Sequence, residues 1–197
     1  VPSGCVFSEQ TVVFAFGDSA RFAILQSSIH AAFAWQHASR MKNDLRYSPT
    51  DAFEPFPWPG KPELETLESL GDHFHEARRS VMSAERIGLT KLYNRFHDPK
   101  DRDSRIEALR ELHRKINIAV ARAYNWDDIE LGHGFHEVPY LPEHDRVRFT
   151  ISEAARVEVL RRLSELNRQR YEEEVTNGLH SSKTAGSGTH KPRAARI

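Results

Sequence analysis

The 197-residue sequence contains one cysteine, Cys5. That excludes an internal disulfide framework and fits a reducing compartment. Basic and acidic residues balance at 28 each, so the formal net charge is zero. Whole-chain electrostatics therefore give no pull toward nucleic acid, and any such binding must rest on local patches. No apolar run approaches the ~20 residues that cross a bilayer, and no secretory signal is evident. The expectation is a cytoplasmic protein with no membrane partner. There is no glycine-rich phosphate loop, no GxGxxG after a strand and no CxxC pair. Gly17-Asp18-Ser19 is too short to serve as a cofactor loop.

What is present is enough apolar sequence for a core, at 39% of residues. The chain is organised around residues 46–59, RYSPTDAFEPFPWP. Pro49, Pro55, Pro57 and Pro59 each remove an amide donor and push the preceding residue toward extended geometry. Tyr47, Phe53, Phe56 and Trp58 are interleaved with them, and such rings rarely sit in a free linker. The pattern predicts a stiff strap that packs across two layers and fixes their orientation.

Before the strap, residues 6–7 and 11–16 read as strands from their β-branched and aromatic content. Ser19 then caps a helix to about Ser39, with Phe22, Leu25, Ile29, Ala32 and Phe33 on one face. Two strands do not complete a sheet. With Val as the first residue, that predicts a piece of a longer protein whose sheet partners lie upstream. Residues 40–46, RMKNDLR, carry Arg40, Lys42 and Arg46. Two readings are open for them: phosphate contact, or an ordinary solvated loop.

After the strap the sequence reads as helices. Leu64, Leu67, Leu70, Phe74, Ala77 and Val81 make a stripe to about Ala84. A shorter helix opens at Gly88 and stops at His97-Asp98-Pro99. A capping-box spacing at Ser104 starts the next, with Ile106, Leu109, His113, Ile116, Val120 and Ala123 on one side. Residues 132–148 read as irregular, and a second capping box at Thr150 opens a helix to about Glu174. Its Leu160, Leu163, Leu166, Asn167 and Tyr171 form a narrow seam. From Thr176 onward the chain has four cations, no acid, and the composition of a disordered tail.

The 11 histidines invite a metal reading, but no ligand set closes at a known spacing. His133 and His136 could at most supply two ligands. The carboxylate pairs lie beside basic residues or at helix ends, and nothing marks an activated nucleophile.

Five pieces in order, FAILQSSIHAAFAWQHAS, RYSPTDAFEPFPWP, LTKLYNRFHDP, IEALRELHRKINIAVARAYNWDDIEL and RFTISEAARVEVLRRLSELNRQRYEEE, cover the bulk of residues 10–175. Their order resembles the C-terminal third of large restriction–modification adenine-specific DNA methyltransferases of the type IIG/IIL-like kind, among them phage-defence enzymes. The resemblance implies the end of a target-recognition domain, its exit strap and a helical brace. It implies duplex DNA and an upstream methyltransferase domain, in cis or trans, as partners. It also implies S-adenosylmethionine as the cofactor of the full-length enzyme. The N-P-P-Y-type loop and the cofactor loop of that family are missing from this sequence. No catalytic, cofactor-binding or metal residue is therefore carried over, and Arg21, Arg40, Lys42 and Arg46 are the candidates for DNA contact.

The expected fold is α+β, mainly α. Residues 1–59 would be the end of a recognition region with a small incomplete sheet and one helix, 60–175 a helical bundle, and 176–197 a disordered basic tail. Two other functions stay open. One is a helical protein–protein interaction module docking through the 152–174 seam; the other is a metal-dependent hydrolase using His133 and His136.

Overall fold

The computed structural model describes residues 4, 12–41, 44–60 and 64–179. The tail expected from 176 onward lies outside these beyond residue 179, as do residues 6–7 and Lys42. The order is α1 (Ser19–Gln26), α2 (Ser28–His37), β1 (Ser39–Met41), β2 (Asp44–Arg46) and a π-helical turn (Pro49–Phe53). Then come α3 (Leu64–Glu85), α4 (Leu89–Phe96), α5 (Ser104–Ala123), β3 (Gly134–Glu137), a 3₁₀ turn (Glu143–Asp145), β4 (Val147–Thr150) and α6 (Glu153–Thr176). The class is α+β and mainly α, with two antiparallel hairpins, β1–β2 and β3–β4.

One apolar core runs through both sides of the strap. Ala23, Ile24, Ile29 and Phe33 of α1 and α2 share it with Leu67, Phe74, Leu92, Ile116, Val159 and Leu163. The helical stripes expected over α3 and α5 supply it, and Leu163 of the α6 seam is fully buried within it. The seam thus packs on its own chain, while Tyr171 further along is exposed.

The local expectations need four corrections. Residues 12–16 form no strand, although Phe14 and Phe16 turn inward and Val13 and Ala15 outward as a period of two requires. Their rings pack on Phe53, which satisfies the side chains without a backbone partner. The single helix from Ser19 is two, broken at Ser27 in extended geometry (φ −70°, ψ 153°). Strands stand at 39–41 and 44–46, where a solvated loop is one of the two readings, and at 134–137 and 147–150, where irregular structure is expected; each pair forms a hairpin. Finally, the N-caps are Asp18, Asp103 and Ser152, and not Ser19, Ser104 and Thr150. Each capping oxygen accepts an amide of the first turn, and the two aspartates also place a charge at the positive end of the helix.

The strap works through its carbonyls. Proline removes amide hydrogens but leaves acceptors behind. Tyr124 Oη donates to the Pro57 carbonyl at 2.9 Å, Asn167 Nδ2 to Pro55 at 2.9 Å, and Arg170 Nη2 to Trp58 at 2.7 Å. Phe56 meanwhile is buried in the core. Tyr124 and Trp126 are core residues, stacked at 4.3 Å, not a free stacking platform.

Arg110 is 2% exposed and uses its whole fork. It donates to the carbonyls of Phe96, Asp101, Arg95 and Asp98 at 2.8–3.0 Å and to Glu107 at 2.9 Å. It thereby closes the C-terminal end of α4, where carbonyls lack helical partners.

At the other side, α1 lies against α3. Glu68 accepts the Ser19 and Ala20 amides at 2.9 and 2.8 Å, and Ser19 Oγ donates to Asp72. Gly71 permits this approach, because a methyl at that position would overlap the Ser19 carbonyl. Gly71→Ala should therefore lower stability by about 1–3 kcal/mol, read as a lower urea midpoint at unchanged m-value. An unchanged midpoint would show that α1 is not seated there.

Candidate nucleic-acid interface

The break at Ser27 leaves backbone polar groups inside the protein, where each needs a partner. Ser27 Oγ donates to the Ile24 carbonyl at 2.6 Å and accepts the His30 amide at 3.2 Å. The Ser28 amide donates to Asn117 Oδ1 at 2.7 Å, from α5. Asn117 Nδ2 in turn lies 3.2 Å from Ser28 Oγ, 3.4 Å from His113 Nδ1 and 3.1 Å from His133 Nε2. His113 Nε2 lies 3.0 Å from the Gln26 carbonyl, and Thr150 Oγ1 reaches Ser28 Oγ at 3.2 Å. One buried polar clamp thus joins the α1–α2 corner, α5 and the second hairpin.

The first hairpin rests on that base. Its small core is Ala34, Ala38 and Ala52, with Leu45 and Tyr47 packed on it. The alanines let the strands approach α2 closely, and Tyr47 Oη meets His30 Nε2 at 2.9 Å. Arg40 pairs with Leu45, and Arg46 with Ser39. Arg46 is exposed and makes no ion pair among the described residues. Lys42 lies outside the described residues, in the connection between the strands. Arg21 stands on α1, exposed, but paired with Asp18 and 5.4 Å above the Phe16 ring.

An aromatic layer that sequence reasoning missed as a unit connects Arg21 with the hairpin. Phe16 stacks on Phe14 at 5.5 Å, Phe14 meets Tyr47 edge-on at 6.2 Å, and both phenylalanines contact Phe53. Trp58 completes it against Phe16 and Phe53. The signal was there, in alternating phenylalanines facing an aromatic strap, but read as a strand. The result is a short basic hairpin held on a rigid base, with half-buried rings beside it. Arg46, exposed on such a scaffold, can meet a phosphate while the base fixes its register.

The histidines belong to the scaffold. Burial lowers His113 and His30 to about 4 from the ordinary 6.5, and His133 likewise to about 4, with Arg114 adding to the effect. Geometry agrees, since His113 Nδ1 and His133 Nε2 face the Asn117 amide donor and would lose an acceptor on protonation. His133 thus spends one ring nitrogen on Asn117, and His136 Nε2 spends one on the Gly132 carbonyl at 2.7 Å. Among the described residues no three His, Cys, Asp or Glu side chains gather to hold a metal ion.

A consequence for stability follows from the sign of these shifts. Below pH 6.5 the unfolded chain takes up protons that the buried histidines refuse, so stability falls with pH. The loss should run from about pH 6.5 to about 4, reaching roughly 3 kcal/mol each for His30 and His113. Urea unfolding at pH 7, 5.5 and 4.5 checks it, and flat midpoints across that range would contradict the buried neutral clamp.

Comparison with known proteins bears on the same region. Residues 1–60 match the family model of the MmeI target recognition domain. Those residues hold α1, α2, the first hairpin and the strap. No curated protein matches the chain. A solved structure of the type IIL restriction-modification enzyme MmeI in complex with DNA is similar, with a TM-score of 0.52 at 22% identity over 78% of this chain. The chain spans 16% of the length of that enzyme. Residues 1–60 are similar to an MmeI target recognition domain, and 78% of the chain shares its fold with part of a type IIL restriction-modification enzyme.

Proposed function

We propose that this chain is the DNA-recognition and bracing part of a restriction–modification DNA methyltransferase, and that it is not catalytic by itself. One observation carries the reading: the segment that matches a target recognition domain is the one that mounts the Arg40–Arg46 hairpin on the buried clamp. In this reading Arg40, Lys42 and Arg46 contact backbone phosphates. Arg21 contributes less, because Asp18 already neutralises it. The end of α5 and α6 hold the strap behind the hairpin through its carbonyls. Adenine-specific methyl transfer from S-adenosylmethionine would belong to a methyltransferase domain acting in cis or trans, in a cytoplasmic system that excludes phage DNA. An enzyme that must turn a base out of a duplex needs a rigid clamp on the flanking DNA, and this architecture suits that task.

Fluorescence anisotropy with duplex DNA at several salt concentrations tests the reading. Replacing Arg40, Lys42 and Arg46 together with alanine should flatten the salt slope by up to about 3, near 0.9 for each phosphate no longer neutralised. Arg21→Ala should change it less. A slope unmoved by the triple substitution would remove the hairpin from the interface, and methyl transfer by the isolated chain would refute the non-catalytic role.

A further inference from the structure

A cleft of about 490 Å³ lies between α2, the end of α4 and the β3–β4 hairpin, a size within the range of pockets that hold small molecules. None of the residues assigned to DNA contact lines it. One wall is aromatic: Trp35 and Tyr140 are 5.3 Å apart at 44°, and the Arg156 guanidinium lies 5.4 Å from the Tyr140 ring centre. At the inner end stands His97, whose Nδ1 accepts the Phe149 amide at 3.1 Å. That bond puts the proton of the neutral ring on Nε2. Burial and the neighbouring Arg148 keep the ring neutral, with its pKa lowered to about 3. The Nε2–H has no hydrogen-bond partner among the described residues, and the ring lines the cleft. Arg148 also lines it, holding Asp145 at 2.9 Å through one nitrogen.

We propose that this cleft binds a nucleobase, stacked along Trp35 and Tyr140, with an acceptor edge on His97 Nε2–H and Arg148. The charges of the lining favour a neutral ring over an anion, since Asp145 and Glu153 already pair Arg148 and Arg156 and Glu137 also lines the cleft. An aliphatic or phenyl side chain would leave the His97 donor unanswered, which is unfavourable. A purine or pyrimidine offers both a π-face and ring or carbonyl acceptors. The base could come from a free nucleotide or from a strand in which it is unstacked. Only the second source rests on the DNA-binding reading.

The test uses the 197-residue chain titrated calorimetrically with dAMP, dTMP, inorganic phosphate and N-acetyl-tryptophanamide. Saturable binding of the nucleotides is expected, weakened about 10-fold or more by Trp35→Ala. Asn94→Phe should weaken it similarly, because Asn94 is exposed and lines the cleft, so the change narrows the cleft without entering the core. No nucleotide binding would overturn the proposal. So would equal competition by phosphate, or binding of N-acetyl-tryptophanamide in place of nucleotides, which would mark a peptide-anchoring site. A duplex carrying 2-aminopurine separates the sources. Fluorescence that depends on Trp35 supports a strand-borne base, and nucleotide binding without it supports a free one. Anisotropy on the same variants keeps the two readings apart, since duplex binding that survives while no nucleotide binds would sink only the cleft.

Discussion

The bond on which most of this structure depends is the one from the Ser28 amide to Asn117 Oδ1, at 2.7 Å in the interior. A helix broken at Ser27 would leave unsatisfied backbone groups in an apolar core, and each would cost free energy comparable to a missing hydrogen bond. Asn117 removes that cost and at the same time occupies both histidines beside it. The break is therefore a designed corner. It turns α2 away from α1 so that the alanine face of α2 can receive the first hairpin.

The same logic recurs wherever the chain stops being helical. Arg110 closes the end of α4 with its full fork, and the buried cation is tolerable because its donors are answered. The strap has few amides to donate, and side chains from the end of α5 and from α6 donate to its carbonyls instead. Side chains seated on long helices thus fix three irregular segments, so the two ends of the chain share one core. A hairpin with only three-residue strands would be marginal alone. Here it is held by rigid neighbours, which is what the proposed contact with phosphates requires.

Much of this was legible in the sequence. Helices α3 to α6 followed from apolar stripes of period 3.6, within about two residues at each end. The strap followed from prolines alternating with rings. The hairpins were not legible: strands of three or four residues show too little alternation, and charged or histidine-bearing segments mask what remains. Nor could periodicity show the break at Ser27, because the apolar face continues across it and only a partner 89 residues away makes the break stable. His113 did stand in the stripe of α5, a polar group on a core face, and Asn117 lies one turn further on. Of the proposed contact residues, the structure sets Arg40 and Arg46 on one hairpin and joins Arg21 to it through the aromatic layer.

The central claim is that the recognition end and the helical brace form a single cooperative body through the Ser28–Asn117 clamp. Native-state hydrogen exchange tests it most directly, since it resolves which segments open together. If the claim holds, amides of α2 should open with the same free energy as those of α5, and Asn117→Ala should lower both equally. If α2 instead exchanged at much lower free energy while α5 stayed protected, the two ends would be separate bodies and the clamp would not be what joins them.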